Sequence, residues 1–392
     1  MKKIIVTLVV FALVAGAAFA QPSVGGNLKI STNLVAGSTE TEEPMAGGTT
    51  IWDAHVNVTW SGTNAGGLIR LWSKTNEWMP ESFAFWWWKP IQQVRIQLGR
   101  NRDADFGHAQ IAGWGYNAEA QGGVAVDKDR ELTKYGGGAY YGNESLASIA
   151  RTAAWWTGFG ANAGDLGLAL SLYPIPGFEV DICVPMQAGK AGIYGIGAND
   201  TQAGNKPTDT AANIYLASKI NFNVVIPDVG NLRFVADLQG KDSEDAIIKP
   251  NVHAALYVSA IESMGIEVGV GFKNEFETIE IGAGYKLNAE ALTLKARVGL
   301  VAKSPNSKND SMLLGVGILP AYNLGKFVAL FNTGFGIDLG DTEMLDWFVN
   351  PYISVPANSG RFYGGIKIHN IKSLGAKDEV TWAIPFGWNI YF

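Results

Sequence analysis

The sequence predicts an all-β protein, a transmembrane antiparallel β-barrel, and three observations carry this prediction. Apolar and polar residues alternate with a period of two over long segments, which is the pattern of a strand with two different faces. Charged residues make up only 17% of the chain, whereas glycine reaches 48 residues and tryptophan 13. Past residue 20, no apolar run is long enough to form a membrane-spanning helix. A chain with these properties is typical of a barrel that crosses a membrane with strands.

The first 20 residues have the pattern of a secretory signal peptide. Lys2 and Lys3 precede a nearly unbroken apolar run over residues 4–17, and Ala18-Phe19-Ala20 forms a small-x-small cleavage site. We therefore expect residues 1–20 to be removed and residues 21–392 to form a single barrel domain. A retained membrane helix is the alternative, but the run is short and ends at a cleavage site.

Charge and cysteine content narrow the function classes. Loss of the two leader lysines takes the formal charge from −6 to −8. An exported acidic chain is not expected to bind nucleic acid. Cys183 is the lone cysteine, so the chain cannot contain an internal disulfide framework.

Strand length favours a membrane barrel over a soluble sandwich. The alternation is clear over residues 52–61, 232–239 and 292–298, and it fills the last thirteen residues, 380–392. Thirteen residues at about 3.3 Å each span roughly 43 Å, enough to cross an apolar band of about 25 Å even when tilted by about 40°. Strands of soluble sheets are more often about five or six residues long.

Connection lengths predict an orientation and a strand number. Short turns at 356–360, 323–325, 287–290, 261–265, 227–231 and 174–177 mostly alternate with longer polar segments at 372–379, 339–346, 303–310, 240–251 and 186–212. The exception is the short connection at 274–276. This asymmetry predicts long extracellular loops, with both termini on the periplasmic side. Further strands near 24–36, 52–61, 67–74, 82–88 and 93–100 bring the expected number to about 18, with 16 to 20 acceptable.

The composition of the final strand is explained if this strand closes the barrel. Its outward apolar row faces lipid, and pairing with the first strand removes an open sheet edge. Trp388 and Phe392 suit the aromatic girdle at the membrane interface. The stretch also resembles the terminal signal by which outer-membrane barrels are recognised, which implies outer-membrane lipid and the barrel-assembly machinery as partners.

A run of three tryptophans admits two interpretations. In the first, Trp86, Trp87 and Trp88 together belong to the aromatic girdle at the membrane interface. In the second, Phe83, Phe85 and Trp87 face lipid, so Trp86 and Trp88 face the lumen and could form a sugar-stacking track with Trp155 or Trp156. We favour the girdle, because these residues immediately precede a turn, where tryptophan is expected at the headgroups.

Strand parity also selects candidate pore-lining side chains. Val94, Ile96 and Leu98 are predicted to face lipid, so Arg95 and Gln97 face the lumen. The same reasoning places Arg233, Lys295 and Arg297 on the lumen wall.

The segment Leu98-Gly99-Arg100 adds a resemblance. Together with the strand order, it resembles the general porins of Gram-negative bacteria, in which a fifth strand ending in these residues leads into a third loop that folds into the barrel. The resemblance implies a constriction loop within residues 101–164 and a homotrimer. The candidate constriction residues are Arg100, Arg102, Asp103 and Asp105, and further acids of the segment are Glu119, Asp127, Asp129 and Glu131.

The predicted function is a passive channel in the outer membrane for small hydrophilic solutes and ions. Opposed rows of charge in the lumen would orient solutes and set ion preference. The alternatives are a sugar-preferring porin, a structural or adhesive surface barrel that binds through its loops, and a secreted sandwich or fibre. Enzyme signals are thin, since His253 with Ser259 and His369 with Asn370 lack a defining spacing. We expect no cofactor and no metal.

Overall fold

A computed structural model describes residues 22–39, 44, 49–73, 83–100, 166–185, 218–238, 247, 249–273, 277–303, 312–340, 345–371 and 380–392. None of these residues forms a helix with the length and apolar character that crossing a bilayer requires.

Nineteen β-strand segments make up the described structure. They are β1 (Ser23–Ser38), β2 (Thr49–Ser61), β3 (Ala65–Ser73), β4 (Phe83–Ile91), β5 (Val94–Arg100), β6 (Leu166–Ile175), β7 (Phe178–Pro185), β8 (Lys219–Ile226), β9 (Gly230–Asp237), β10 (Asn251–Val258), β11 (Met264–Lys273), β12 (Thr278–Ala289), β13 (Leu292–Lys303), β14 (Met312–Asn323), β15 (Val328–Asp338), β16 (Leu345–Ala357), β17 (Gly360–Gly365), β18 (Lys367–Ile371) and β19 (Thr381–Tyr391).

The strands close into one antiparallel barrel. From β1 to β17 each strand pairs with the next in the chain, and β19 returns to pair with β1. β17 and β18 are separated only by Ile366, and both lie between β16 and β19, so they share one position. The nineteen segments therefore occupy eighteen positions, within the predicted range of 16 to 20. Every described strand has a partner on each side, as a bilayer core requires of backbone polar groups.

The seam between the first and last strands confirms the predicted closure. Leu28 pairs with Ile390 and Ile30 with Trp388. The final residue extends this register: the Gly26 N–H donates to the Phe392 carbonyl at 2.7 Å, and the Phe392 N–H donates to the Gly26 carbonyl at 3.2 Å. A register shift between Asn33 and Val35 interrupts the seam once.

Alternation separates an outer from an inner face. In β19 the buried residues Thr381, Ala383 and Asn389 alternate with outward Ile384 and Phe386, which are exposed. Large exposed apolar side chains recur in the same way on most other strands. An exposed apolar surface of this extent is not stable in water but is suited to hydrocarbon. The barrel therefore presents a membrane-spanning exterior, as the alternation predicted.

The two ends of the barrel differ. Short connections join β2 to β3, β4 to β5, β6 to β7, β8 to β9, β10 to β11, β12 to β13, β14 to β15 and β16 to β17 at one end, called here the short-turn end. β1 begins and β19 finishes at this end. The opposite end carries the longer connections, with residues 274–277 between β11 and β12 as the predicted exception. The expected asymmetry is confirmed.

Gly99 has a backbone conformation that suits only glycine. Its φ is +110°, and a Cβ atom there would collide with the Ala84 carbonyl oxygen of the neighbouring strand. The glycine of the Leu98-Gly99-Arg100 motif is therefore required by the local geometry of β5.

We predict that Gly99→Ala destabilises the folded barrel by about 1–3 kcal/mol, because a side chain would be both strained and in contact with β4. The measurement is the urea midpoint of the detergent-folded protein. Gly364→Ala is the matched control, since the nearest atom to its new Cβ, Phe386 Cδ2, lies at an ordinary 3.5 Å. Equal midpoints for the two variants would contradict the assignment.

Candidate functional site: the inner face of the barrel

Most of the described strands contribute a charged side chain to the inner face of the barrel. The described cations with side chains on this face are Arg70, Lys89, Arg95, Arg233, Lys286, Lys295, Arg361 and Lys367. The described acids are Glu179, Asp181, Glu267 and Asp338. Cations outnumber acids on this part of the wall, although the whole chain is acidic.

A cation–aromatic cluster lies on the inner face near the short-turn end. Lys89 Nζ lies 5.8 Å from the centroid of the Trp87 ring and 5.7 Å from that of Tyr173, and Arg95 Cζ lies 5.3 Å from that of Trp87. Arg95 Nη2 also donates to Gln97 Oε1 at 2.8 Å. Cation–π contacts contribute about 0.5–1 kcal/mol each at exposed sites, enough to fix where long side chains hold their charge.

This cluster corrects the predicted orientation of the three tryptophans. Trp87 pairs with Gln97 and packs against the inner residue Phe85, so it lies on the inner face. Trp86 pairs with Leu98 and Trp88 with Ile96, which places both on the outer face. The girdle assignment was therefore wrong for Trp87, whereas the outer-face positions of Trp86 and Trp88 fit it. The alternative that placed Trp86 and Trp88 in the lumen as a sugar-stacking track was wrong. Three consecutive aromatic residues contain no alternation, so the pairing with β3 and β5 decides their orientation.

Two of the four described inner-face acids are buried within the wall and are not accessible from the lumen. Asp181 is only 1% exposed, and its Oδ2 accepts a hydrogen bond from Asn221 Nδ2 at 2.9 Å. Glu267 is 3% exposed. Glu179 and Asp338 are less deeply buried, and Asp338 Oδ1 accepts from the Gly340 N–H at 2.9 Å near the opposite end. The acids thus contribute less charge to the accessible wall than their number suggests.

Two lysines meet directly across neighbouring strands. Lys286 of β12 is the register partner of Lys295 of β13, and both side chains are half-buried on the inner face. Like charges directly opposite each other in a sheet are destabilising. Their juxtaposition concentrates positive charge on this part of the wall.

The structure places the other predicted pore residues as follows. Gln97 and Arg233 lie buried on the inner face, 4% and 7% exposed, and Arg95 and Lys295 are half-buried there. Arg100 and Arg297 are described only by their backbones, which pair with Leu166 and with Gly284. The remaining predictions lie outside the described residues, and they are Arg102, Asp103, Asp105, Glu119, Asp127, Asp129, Glu131, Trp155 and Trp156, together with the constriction loop over 101–164.

Several charged residues of the wall were missed by the sequence reasoning. They include Arg70, between Ile69 and Leu71, Glu267, between Ile266 and Val268, and Lys286. The same parity rule that found Lys295 would have found them. Lys89 and Asp181 needed the strand register, because their environment comes from other strands.

The polar pair His369 and Asn370 is divided between the two faces. Thr381 Oγ1 lies 2.8 Å from His369 Nδ1 on the inner face, while Asn370 pairs with outward Trp347. These two residues therefore do not act together.

Aromatic residues also gather on the outer face near the seam. Phe362 stacks on Trp388 with ring centroids 4.9 Å apart and on Phe386 at 6.3 Å. A Cβ atom at Gly26 would contact the Phe392 ring, so this ring covers the glycine on the outer face. Trp388 and Phe392 thus lie where girdle residues would be required.

Among the comparisons with known proteins, only the one with solved structures finds similar proteins. None of the protein-family models matches the chain, and none of the curated proteins matches it. The structure is similar to an anion-selective porin from Comamonas acidovorans, with 11% identity over 95% of this chain and 100% of that chain, at a TM-score of 0.45.

Two further solved structures are similar at the same level. OmpF of Salmonella typhi, in complex with daunomycin, is 9% identical over 96% of this chain and 99% of that one, at a TM-score of 0.46. The outer-membrane expressed OmpT of Vibrio cholerae is 9% identical over 95% and 98%, at 0.45. Identities and scores this low give no information on substrate, and the barrel architecture rests on the strand pairing itself.

We predict opposite labelling for the two faces of β13. In a Cys183→Ser background, Lys295→Cys should react with a charged, water-soluble thiol reagent, because its side chain lies on the inner face. Val298→Cys, whose parent side chain is 41% exposed on the outer face, should react only with a lipid-soluble maleimide in vesicles. The measurement is the mass shift of the intact protein, and a reversed pattern would contradict the facing of the wall.

Proposed function

We propose that the protein is an outer-membrane, porin-like channel for passive diffusion of small hydrophilic solutes and ions. The observation that carries the proposal is the contrast between the two faces of a closed barrel. The outer face exposes apolar side chains, and the inner face carries charged and amide side chains on strands all round the wall. Such a polar inner face is what a water-filled lumen requires.

Barrel size supports the same function. Eighteen strands about 4.8 Å apart and tilted by about 40° close into a cylinder roughly 35 Å across, measured between backbones. Side chains extending from opposite walls cannot fill such an interior alone, and barrels of about 16 to 18 strands generally enclose water. Solutes would then be selected by size and by the charge of the wall rather than by covalent chemistry.

Export and assembly complete the proposal. Removal of residues 1–20 would release the mature chain beyond the inner membrane, and the barrel-assembly machinery would insert it into outer-membrane lipid. The short-turn end, where both termini lie, would face the periplasm. A homotrimer follows from the resemblance to general porins.

The proposal predicts stable conductance steps when the detergent-purified protein is added to a planar lipid bilayer in potassium chloride. A charged inner wall in an aqueous lumen should conduct ions without added energy. Maltodextrins added to the same channels should not block them, because Trp86 and Trp88 lie on the outer face and the inner ring of Trp87 is contacted by Lys89 and Arg95. Saturable sugar block would instead favour the sugar-preferring alternative.

A folded protein that never conducts would contradict the channel. Folding is checked in the same preparation by the mobility difference between heated and unheated samples in detergent gels. In that case the inner wall would have another purpose, and the surface-binding alternative would become the better account.

The terminal residue provides a separate prediction about assembly. Deleting Phe392 removes two backbone hydrogen bonds to Gly26 and the ring that covers this glycine. We expect the amount of barrel in the outer membrane to fall by roughly tenfold, consistent with the loss of about 1–2 kcal/mol that two net hydrogen bonds represent. Phe386→Leu is the control, since it removes an outward ring of the same strand and leaves the backbone hydrogen bonds of the closure in place. Equal membrane levels for both variants would contradict a special role of the terminus.

A further inference from the structure

Among its described residues, the inner wall carries charge of the opposite sign to that of the chain. The protein carries a formal net charge of −6. Among the described inner-face side chains, however, eight are basic and four acidic. Net charge therefore gives no guide to the sign of the charge on the described part of the inner wall.

Accessibility increases the imbalance. Six of these cations, Arg70, Lys89, Arg95, Lys286, Lys295 and Arg361, are half-buried rather than buried, so part of each side chain faces the interior. Among the four acids, Asp181 and Glu267 are almost completely buried. A charge held behind other atoms is covered by the wall, whereas a partly exposed one acts directly on an ion that passes.

Two patches bring the accessible cations close together. Lys89 and Arg95 lie on either side of Trp87 in the cation–aromatic cluster. Lys286 and Lys295 face each other across β12 and β13. Both patches lie within a few residues of the short turns that begin at Gln92 and Glu290, so they share the short-turn half of the barrel. Rings of Lys and Arg favour anions in pores.

The turns at the short-turn end do not have this bias. Asp228, Glu262 and Glu290 are exposed there, as is Lys326. These side chains lie in the connections beyond the strands and are open to bulk solvent, where salt screens them. Charges on the wall of a narrow, low-dielectric passage act more strongly, because such walls focus the field.

From this distribution, and on the basis of the channel function proposed above, we infer that the pore prefers anions, with small inorganic and organic anions as its favoured solute class. The Lys286–Lys295 pair and the Lys89–Arg95 patch supply the attraction. The field raises the local concentration of anions and lowers that of cations without forming a tight binding site.

The test is the reversal potential of single channels in a potassium chloride gradient. We expect a chloride-to-potassium permeability ratio of roughly two to five, a modest effect for a wall charge that salt screens in part. The preference should weaken as both solutions are made more concentrated, because the Debye length falls from about 10 Å at 0.1 M salt to about 3 Å at 1 M. A ratio at or below one in the conducting wild-type protein would overturn the inference while leaving the channel function intact.

A pair of charge-matched variants locates the source of the selectivity. Lys286→Gln combined with Lys295→Gln changes the protein charge by the same amount as Lys326→Glu at the exposed turn. We expect the first variant to lower the permeability ratio by about twofold or more and the second to leave it near the wild-type value. Equal shifts in both variants would overturn the assignment to the inner wall.

Failure of the proposed channel function and failure of the anion preference are distinguishable. If no current is seen from folded protein, the channel itself is rejected before any ratio can be measured, and the inference falls with it. If the double variant does not fold, Arg95→Gln tests the other patch, where a ratio equal to that of the wild type would count against the inference.

Discussion

The whole structure depends on one constraint, that hydrocarbon offers no hydrogen-bond partner to a backbone N–H or C=O group. A sheet can meet it only by having no edge, and the pairing of β1 with β19 provides this closure. Closure fixes the even number of antiparallel positions, the place of both termini at one end and the division of each strand between two solvents. The short segments β17 and β18 obey the same rule, because together they satisfy both neighbouring strands.

Much of this arrangement could be predicted from the sequence because the membrane enforces period two. The outward row of the last strand, its pairing with the first strand and the facing of Arg95, Gln97, Arg233 and Lys295 follow from alternation alone. The rule failed at Trp86–Trp88, where every residue is large and aromatic and no polar side chain marks the inner face. The rule also did not reveal the interruption at Ile366, because β18 takes up the position of β17 between the same two neighbouring strands.

Contacts between strands far apart in the chain could not be obtained in this way. Asp181 is stabilised by Asn221, and Lys89 meets the ring of Tyr173, and both contacts depend on the register of strands joined by longer segments. A sequence pattern says which side of a strand a residue takes, but the opposing residue is set by where each turn begins. The balance between accessible cations and covered acids is therefore a property of the assembled wall.

The seam also has a consequence for the order of assembly. Gly26 and Phe392 are hydrogen-bonded neighbours although nearly the whole chain separates them, so theirs are among the most non-local contacts in the barrel. Non-local contacts form late and slowly, because the chain entropy between them must first be lost. Until the last residues emerge, β1 must wait with one side unpaired. A chain truncated near its end would therefore remain an open, aggregation-prone sheet rather than become a slightly smaller barrel.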